Sequence, residues 1–468
     1  MQKLAHLIIP IMLLLNPVFA QDNIDFTTDF FPHKKKELRY HKSRIKSGYK
    51  LFEKKIQAGD YNFTPVLAYL LPAQLFNPFN EQLNFRIGYC YFKMDMKEQA
   101  LPYFSNAFYI EELHDPRLPL WLGICEYHEM LWENAYDHIS DYLKNNQGVK
   151  KNDSLAKYYL EKSRYGKIMA SNPVNTRIEK LPEHINTDAN KSFPFLSPDE
   201  SVLYFNQHIT DSTGKNMVQI LFSQTAERGW GTPQLLPINN YLSIPFEALN
   251  ISNDGNKILL RAKAKSGNWD LYESINLAGQ WSNPVLLSSI INTMHDEIYA
   301  CYGPGDSSLF YISNKPGGIG GFDIWRVRRD ASGWFNSPIH IGKNLNSSAN
   351  EYTIHFTSDY QMAFITSDGH TSLGKADIFR VKFENETFSN PVSIGYPINT
   401  TRDENNFFVL PNGTKGIIAG KRSLDDLHDL LYLIQIPPKI KMPGLVREEP
   451  IFSGYPILDK FSWVVEDE

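Results

Sequence analysis

An asparagine recurs at a nearly constant step through the second half of this chain. Successive copies are 53 or 54 residues apart, each after Ile or Leu and before Thr, Asn or Ser: Asn186, Asn239, Asn292, Asn346 and Asn399. A period near 50 residues is typical of radially repeated β-architectures, in which one repeat is one supersecondary unit that cannot bury its faces alone. The repeat therefore predicts a β-propeller, a fold that serves more often as a binding platform than as a catalyst.

Three other features keep the register of the asparagine. An aromatic residue is followed by proline at Trp230/Pro233, Trp281/Pro284, Trp334/Pro338 and Phe388/Pro391. An aspartate precedes a hydrophobic residue at Asp270-Leu271, Asp323-Ile324, Asp377-Ile378 and Asp429-Leu430. A tight-turn phrase rich in Pro, Asn, Asp and Gly separates two short β-rich runs in each repeat. Each repeat thus predicts a four-stranded blade, and we expect each aspartate to accept hydrogen bonds from nearby backbone N–H groups.

The two ends of the repeat region predict the number of blades. The last repeat stops near Ile436, after its third strand, whereas residues 174–181 resemble the outer strand that precedes each later asparagine. We therefore expect the N-terminal strand to complete the last blade and to close a ring of five over residues 174–436, which removes the exposed sheet edge. Residues 437–468 are predicted to form an extended tail.

Residues 36–170 show the helical period instead. Small residues at Gly88, Ala100 and Ala107 alternate with Tyr91 and Phe104, so that two helices of a hairpin can approach closely. A similar frame returns 35 residues later: Gly123, Tyr127, Ala135 and Ile139. This pattern resembles the tetratricopeptide repeat, which implies a short helical solenoid. Such a solenoid offers either a groove for a partner protein or a purely structural spacer, and the sequence leaves both open.

Composition narrows the function classes. With 468 residues, two domains are expected, and a net charge of −5 argues against a general nucleic-acid binder. Residues 1–20 read as a signal peptide: Lys3 precedes a short apolar run, and Val18 and Ala20 suit cleavage before Gln21. No later run has transmembrane length, and no cysteine follows the cleavage site to carry a lipid. The three cysteines are too few for a disulfide scaffold and are expected to be buried thiols.

The candidate site residues are glutamates. Glu297, Glu351 and Glu404 each lie five residues after an asparagine, with Glu247 roughly comparable and Lys191 in the first repeat. This position is just before the innermost strand, at the mouth of the predicted channel. There the carboxylates would bind a cation, a sugar or a basic peptide, or would satisfy backbone amides between blades. The glycines of residues 317–321 lack the context of a phosphate-binding loop and predict a turn. No motif predicts a catalytic residue, a metal or a cofactor.

Some of these residues carry a resemblance to a known family. Pro198-Asp199, the run Gly317–Trp325 and the Gly-Trp phrases followed by proline resemble the WD40-like PD40 repeats of the TolB type. A signal peptide, a tetratricopeptide solenoid and such a propeller, in that order, resemble envelope proteins of Bacteroidota. Longer members of that family carry an OmpA-like peptidoglycan-binding domain, and some are outer-membrane-associated lipoproteins of the type IX secretion machinery. This chain lacks both a lipobox and an OmpA-like domain, so the resemblance does not imply lipid attachment or peptidoglycan binding.

Three functions follow as expectations. The first is a non-enzymatic periplasmic scaffold or adaptor that binds other envelope proteins and is recruited to the outer membrane by a partner. The second is a module that binds a glycan or a peptide at the mouth of the propeller channel. The third is a propeller glycoside hydrolase, which would need two carboxyl groups about 5–10 Å apart in an open pocket.

Overall fold

A computed structural model describes residues 22–110, 115–145, 152–211, 213–227, 229–238, 244–330, 333–334, 337–423 and 426–438. The predicted signal peptide, Asn239 and nearly all of the predicted tail lie outside these ranges. The chain divides into two compact units, residues 1–164 and residues 165–468. Helices form the first unit, and the propeller strands lie in the second.

The described part of the chain contains seven α-helices. Their bounds are α1 Lys35–Gln57, α2 Thr64–Phe76, α3 Glu81–Lys93, α4 Lys97–Phe108, α5 Leu118–His128, α6 Trp132–Asn145 and α7 Asp153–Ser171. Consecutive helices pack as hairpins, α1 with α2, α3 with α4 and α5 with α6. The helical region is therefore as expected, while the tetratricopeptide assignment stays a prediction.

One glycine stands at the contact between the two helices of each hairpin. A β-carbon at Gly88 would lie 2.7 Å from the ring of Phe104, and one at Gly123 would lie 2.6 Å from Ile139. Gly48 faces Leu70 in the same way. These distances are shorter than any real contact of a β-carbon, so each hairpin depends on the missing side chain. The small residues in the sequence pattern thus have a direct packing role.

Replacing Gly123 by alanine is expected to destabilise the helical unit by about 1–2 kcal/mol. The new methyl group would also approach the carbonyl oxygen of Ala135 at 3.2 Å, and overpacking of about 1–3 kcal/mol outweighs the helix preference of alanine, about 1 kcal/mol. Thermal and denaturant unfolding measure the change. Ser47→Ala, at an exposed position of α1, is the control for helix preference and should be neutral or slightly stabilising. A Gly123→Ala variant as stable as the wild type would contradict this packing.

The second unit is a propeller of antiparallel sheets arranged as five blades. In blades 1–4 the three inner strands are long, and two short pieces pair with the third strand as an outer strand. Strand β1 is Ile178–Lys180. Blade 1 contains β2 Asn190–Leu196, β3 Val202–Thr210, β4 Asn216–Ala226, β5 Gly229–Trp230 and β6 Gln234–Leu235. Blade 2 contains β7 Glu247–Ile251, β8 Lys257–Lys263, β9 Trp269–Leu277, β10 Gln280–Trp281 and β11 Val285–Leu286.

The later blades repeat this order. Blade 3 contains β12 Glu297–Tyr302, β13 Ser308–Ser313, β14 Asp323–Asp330, β15 Gly333–Trp334 and β16 Ile339–His340. Blade 4 contains β17 Glu351–Phe356, β18 Met362–Ser367, β19 Asp377–Glu384, β20 Thr387–Phe388 and β21 Val392–Ser393. Blade 5 contains β22 Phe407–Val409, β23 Lys415–Gly420 and β24 Leu430–Gln435, and β1 is its outer strand.

The ring is closed by the N-terminal strand, as the sequence predicts. Strand β1 pairs antiparallel with β24, with Lys180 opposite Tyr432. Leu181 then donates its N–H to the carbonyl of Leu431 at 2.9 Å, just as Leu287 bonds Leu271 within blade 2. The closing strand therefore has the same register as an outer strand that belongs to its own blade, and the last sheet has no open outer edge.

The recurring asparagine is a clamp between the connecting segment and the third strand of the preceding blade. In Asn292 the amide oxygen accepts the N–H of Leu271 at 2.8 Å, and the amide nitrogen donates to the carbonyls of Leu271 and Leu287. Asn346 and Asn399 bond Ile324 and Ile378 in the same two-sided way. An asparagine side chain carries both a donor and an acceptor, so it can replace a strand residue at this point.

Two of the four aspartates, Asp323 and Asp377, accept backbone hydrogen bonds as predicted. Asp270 instead accepts the side-chain amide of Asn268, and the prediction for Asp429 is wrong. The carboxylate of Asp323 accepts N–H groups four and three positions earlier, and so does that of Asp377. In blade 5 this role belongs to Asp426, which accepts the N–H groups of Arg422 and Ser423. The connection before β24 differs from its counterparts, so the aspartate precedes the strand by four residues and Asp429 is out of register.

Candidate functional site

In blades 3 and 4 the recurring glutamate ties the segment between blades to its own sheet. Glu297 is fully buried and accepts hydrogen bonds from the N–H and hydroxyl of Thr293 and from the hydroxyl of Ser313. Glu351 is also fully buried and accepts from the corresponding groups, the N–H and hydroxyl of Ser347 and the hydroxyl of Ser367. These carboxylates thus hold the segment that follows the asparagine.

In blades 2 and 5 the glutamate pairs with an arginine. Arg261 lies on β8 at the position of the strand serine, whereas Arg422 follows the end of β23 by two residues. Glu404 is 1% exposed, accepts from Thr400 as its counterparts do, and forms an ion pair with Arg422 at 3.0 Å. Glu247 accepts the Nε–H of Arg261 at 2.8 Å. Both arginines also donate to a backbone carbonyl, that of Ile398 for Arg422 and that of Ile298 for Arg261.

In blade 1 a lysine, which is cationic, stands at the position of the recurring glutamate. Lys191 is 1% exposed, and its ammonium group donates to the carbonyl and hydroxyl oxygens of Thr187 and to the carbonyl of Ala189. Burial lowers the pKa of Lys191 to about 8. A lysine and a glutamate can therefore hold the same segment, because one donates to the groups of the loop and the other accepts from them.

The candidate residues Glu297, Glu351 and Glu404 do not line the cavity described below. Their carboxylates accept hydrogen bonds from groups of their own repeats, which agrees with a structural role between blades. Direct ligand contact by these three residues stays a prediction, which this geometry does not favour.

Burial makes the charged form of these carboxylates unfavourable. It raises the pKa of Glu351 to about 8, against the hydrogen bonds from Ser347 and Ser367, which lower it. Burial also raises the pKa of Glu297 and of Glu404, the latter against the nearby Arg422 guanidinium. Since the pKa of an unfolded glutamate is about 4.3, the folded state keeps protons that the unfolded chain releases.

The contribution of Glu351 to the stability of the propeller should therefore fall as the pH rises from about 4.5 to 8. The buried, neutral His355 contributes in the opposite sense below about pH 6.5. The contribution of Glu351 is complete below the unfolded pKa and is lost as the pH approaches the folded value. Glu351→Gln removes this dependence, so the variant should gain about 2–4 kcal/mol relative to the wild type between pH 5 and pH 8, at about 1.4 kcal/mol per pKa unit. Denaturant unfolding at a series of pH values measures the difference.

Glu384→Gln is the matched control, because Glu384 is an exposed residue of β19 in the same blade. Its stability should follow the wild-type pH curve. A Glu351→Gln curve parallel to that of the wild type would show that the buried carboxyl does not titrate in this range.

A cavity of about 350 Å³ opens at the channel mouth, and all five blades contribute to it. We call it the mouth cavity. Strand β2 provides Asn190, Lys191, Ser192 and Phe193. The other blades provide Glu247, Arg261, Ile298, Tyr352, Asn405 and Asn406, and His208 and Asp429 complete the lining. Its volume is at the lower end of the range for small-molecule sites, about 300–1,000 Å³.

β-Bulges bring the lining side chains to the mouth. The inner strands shift register directly after the glutamate position, between Glu297 and Tyr299 in blade 3 and between Glu351 and Thr353 in blade 4. The extra residues are Ile298 and Tyr352, and both line the cavity. A bulge turns one side chain out of the alternation of its strand. The residue after each structural glutamate is thus free to differ from blade to blade.

The bulge of blade 1 holds Phe193 in an unusual conformation. Its φ of 44° lies in the left-handed region, which a bulky residue rarely adopts. The N–H of Phe193 donates to Asn406 at 3.2 Å, and its ring lies 4.5 Å from the Arg261 guanidinium carbon. Such strain of about 1–3 kcal/mol is found mainly at ligand clamps and other functional positions.

The guanidinium group of Arg261 is held by two aromatic rings, a carboxylate and a backbone carbonyl. The ring of Trp269 lies 4.4 Å from its guanidinium carbon, so that the cation is stacked between Trp269 and Phe193. With its bonds to Glu247 and Ile298, the guanidinium is a rigid wall of the cavity. Cation–π contacts of this kind are strongest when they are shielded from water.

Aromatic side chains fill the channel inward of the mouth. The hydroxyl of Tyr299 lies 2.9 Å from Nε2 of His355, and the ring of Phe408 packs edge-on against His355 at 5.1 Å. Burial lowers the pKa of His355 to about 3, so the ring is neutral at physiological pH. Phe193, which lines the mouth cavity, packs against Tyr299 of this cluster, with the ring centres 5.9 Å apart.

Most of the residues that line the mouth cavity were not identified by the sequence analysis. Asn405 and Tyr352 directly follow glutamates that it identified, and their signal was that they differ between repeats. Within the described ranges no group of three His, Cys, Asp or Glu residues is placed to hold a metal ion. No described helix combines the length and the apolar character needed to cross a membrane.

Comparison with known proteins identifies no family for the chain. No protein-family model matches it, and neither does any curated protein sequence. Among solved structures, a putative TolB from Agrobacterium tumefaciens is 16% identical with a TM-score of 0.31, covering 54% of this chain and 79% of that one. The catalytic domain of a Coprinopsis cinerea GH62 α-L-arabinofuranosidase is 11% identical with a TM-score of 0.34, covering 55% and 94%. The Yersinia enterocolitica type III secretion chaperone SycD, in complex with a peptide of the translocator YopD, is 15% identical with a TM-score of 0.22, covering 26% and 94%. Likenesses this weak assign no activity.

Proposed function

We propose that this chain is a non-enzymatic adaptor of the cell envelope that binds other envelope proteins. The leader-like residues 1–20 and the resemblance to envelope proteins support a periplasmic setting, with recruitment to the outer membrane and to a secretion complex of the type IX kind. In this proposal the propeller mouth is one contact surface, and the helical unit, as a tetratricopeptide-like solenoid, is a second.

One observation carries the proposal. The polar residues that recur in the repeat hold the blades together, whereas the residues at the mouth differ from blade to blade. Ser192, Ile298, Tyr352 and Asn405 occupy corresponding places after the recurring position and all line the cavity. A propeller whose blades share their structural residues but differ in the residues at the mouth is suited to recognise one particular partner.

Photo-cross-linking in cells that naturally produce the protein tests the proposal. A benzoylphenylalanine placed at Tyr352 reports on the mouth, and one placed at Leu277, which is 66% exposed on β9, is the matched control on the blade edge. We expect an adduct of discrete mass at the mouth that contains another envelope protein, and none of that mass at the edge.

Two results would count against the adaptor. The absence of adducts at both positions and at Tyr40, which is 56% exposed in the helical unit, contradicts protein binding altogether. An adduct at Leu277 with none at Tyr352 moves the interface from the mouth to the blade edge.

The mouth cavity favours a second candidate, a module for a small glycan or peptide. This use is compatible with the adaptor, because a partner could present the ligand. The hydrolase alternative has less support. The described lining has two acidic residues, Glu247 and Asp429. Glu247 is ion-paired with Arg261 at 2.6 Å, and Glu297, Glu351 and Glu404 are bonded within their blades, so none of these carboxyl groups is available as a partner for Asp429.

A further inference from the structure

We infer that the mouth cavity is a site for a neutral, hydroxyl-rich ligand, a sugar. The inference rests on the proposed binding role of the mouth and names the ligand class of that site. It follows from the charges of the lining, from its hydrogen-bonding groups and from its shape.

The cations of the cavity are already bonded to the protein. Lys191 directs its ammonium group to three oxygens of residues 187 and 189, at 2.8–3.2 Å. Arg261 donates to Glu247 and to the carbonyl of Ile298. An anionic ligand would have to compete with these internal acceptors. The two cations of the lining are balanced by the carboxylates of Glu247 and Asp429, so the cavity presents no net charge to a charged ligand of either sign.

The remaining polar groups of the lining suit hydroxyls. Three amides, those of Asn190, Asn405 and Asn406, line the mouth cavity. Each already makes a hydrogen bond within the protein: Asn190 accepts the N–H of Asp429, Asn406 accepts the N–H of Phe193 and donates to Asn405, and Asn405 donates to Asp403. An amide carries two N–H donors and two acceptor lone pairs, so each keeps capacity for a ligand hydroxyl. Among the described residues, none donates a hydrogen bond to the carboxylate of Asp429, although its backbone bonds Asn190 and Lys191. A carboxylate accepts hydroxyl protons well and repels a ligand anion.

The lining of the mouth cavity also includes aromatic residues. Phe193 and Tyr352 line the same cavity as the amides. The Phe193 ring already packs on Arg261, so Tyr352 is the ring on which the C–H face of a sugar would pack while its hydroxyls bond polar neighbours. Phe193 keeps its place despite its positive φ, and the buried Tyr299 lies 5.9 Å behind it, ring centre to ring centre. The cavity volume of about 350 Å³ suits a small ligand.

Calorimetric titration of the full chain tests the ligand class with probes of similar size. N-Acetylglucosamine and glucose are neutral, glucosamine is a cation, glucuronate is an anion, and a blocked tripeptide of alanine represents a neutral peptide. We expect a neutral sugar to bind with a Kd of about 1 mM or tighter, and every charged probe and the peptide to bind at least about tenfold more weakly.

Variants then locate the site. Asn405→Ala and Asp429→Asn should each weaken sugar binding by about tenfold, as expected when a hydrogen-bonding partner of a bound hydroxyl is lost. Asp141→Asn, an exposed carboxylate on α6, should bind like the wild type. Melting temperatures of all three variants show whether the fold is kept. The test of ligand class is made on the wild type and does not depend on any variant.

Stronger binding of glucuronate, glucosamine or the peptide than of any neutral sugar overturns the inference, and so does the absence of sugar binding at about 10 mM. The outcome is separable from that of the adaptor. Cross-linking at Tyr352 without sugar binding leaves the adaptor standing alone, while sugar binding without any cross-link leaves the ligand site alone.

Discussion

Replacing Arg422 by alanine is expected to destabilise the propeller by about 3–5 kcal/mol, because it leaves a buried carboxylate without its counter-charge. The side chains of Arg422 and Glu404 are 7% and 1% exposed. The loss should be smaller at pH 5 than at pH 8, since burial raises the pKa of Glu404 and protonation removes the unpaired charge. Urea unfolding at the two pH values measures both effects.

A double variant separates charge from packing. Glu404→Gln combined with Arg422→Met keeps an acceptor for Thr400 and removes both charges, so it should recover most of the lost stability. Lys144→Ala, which breaks the exposed pair of Lys144 with Asp141, should change stability by less than about 1 kcal/mol. If the double variant is as unstable as Arg422→Ala, lost packing explains the effect and the unpaired charge does not.

Replacing Asn186 by alanine should weaken the closure of the ring and lower the free energy of unfolding by about 2–3 kcal/mol. Its amide accepts the N–H of Leu431 at 2.8 Å and donates to the carbonyls of Leu431 and Leu181. The variant loses these three bonds and leaves a strand N–H without its acceptor. The clamp joins residues 245 positions apart, so it links the two ends of the ring.

Asn292→Ala is the matched comparison, since Asn292 makes the same bonds within one repeat. Hydrogen exchange separates the two variants. The amides of β24 should lose protection in Asn186→Ala, and those of β9 should lose it in Asn292→Ala. Wild-type protection of β24 in Asn186→Ala would contradict closure through this clamp.

The ring could be predicted from the sequence because its determinants are local and repeated. The asparagine bonds the same strand position in each described repeat, so its spacing measures the blade directly. The closing strand was recognisable because residues 174–181 carry the outer-strand phrase without a blade of their own. The one wrong register, at Asp429, arose where the connection before β24 departs from the repeat and Asp426 provides the carboxylate.

The mouth could not be predicted in the same way. In blades 3 and 4 the side chain that reaches the cavity depends on the bulge after the glutamate, and a bulge is a property of two paired strands rather than of one segment. The Glu247–Arg261 pair joins opposite residues of β7 and β8. The second strands of the other blades contain no arginine, and Arg422 lies just after the end of β23. The positive φ of Phe193 likewise has no sequence signal.

The central claim is that the recurring polar residues build the ring and the residues that differ between blades do the binding. Capture of partner proteins from envelope extracts tests it with two immobilised variants, compared at a temperature at which both are folded. One carries Glu297→Gln, Glu351→Gln and Glu404→Gln, and the other carries Tyr352→Ala and Asn405→Ala. We predict that the glutamate variant recovers the partner as the wild type does and that the mouth variant does not. Loss of the partner by the glutamate variant, with full recovery by the mouth variant, would contradict the claim.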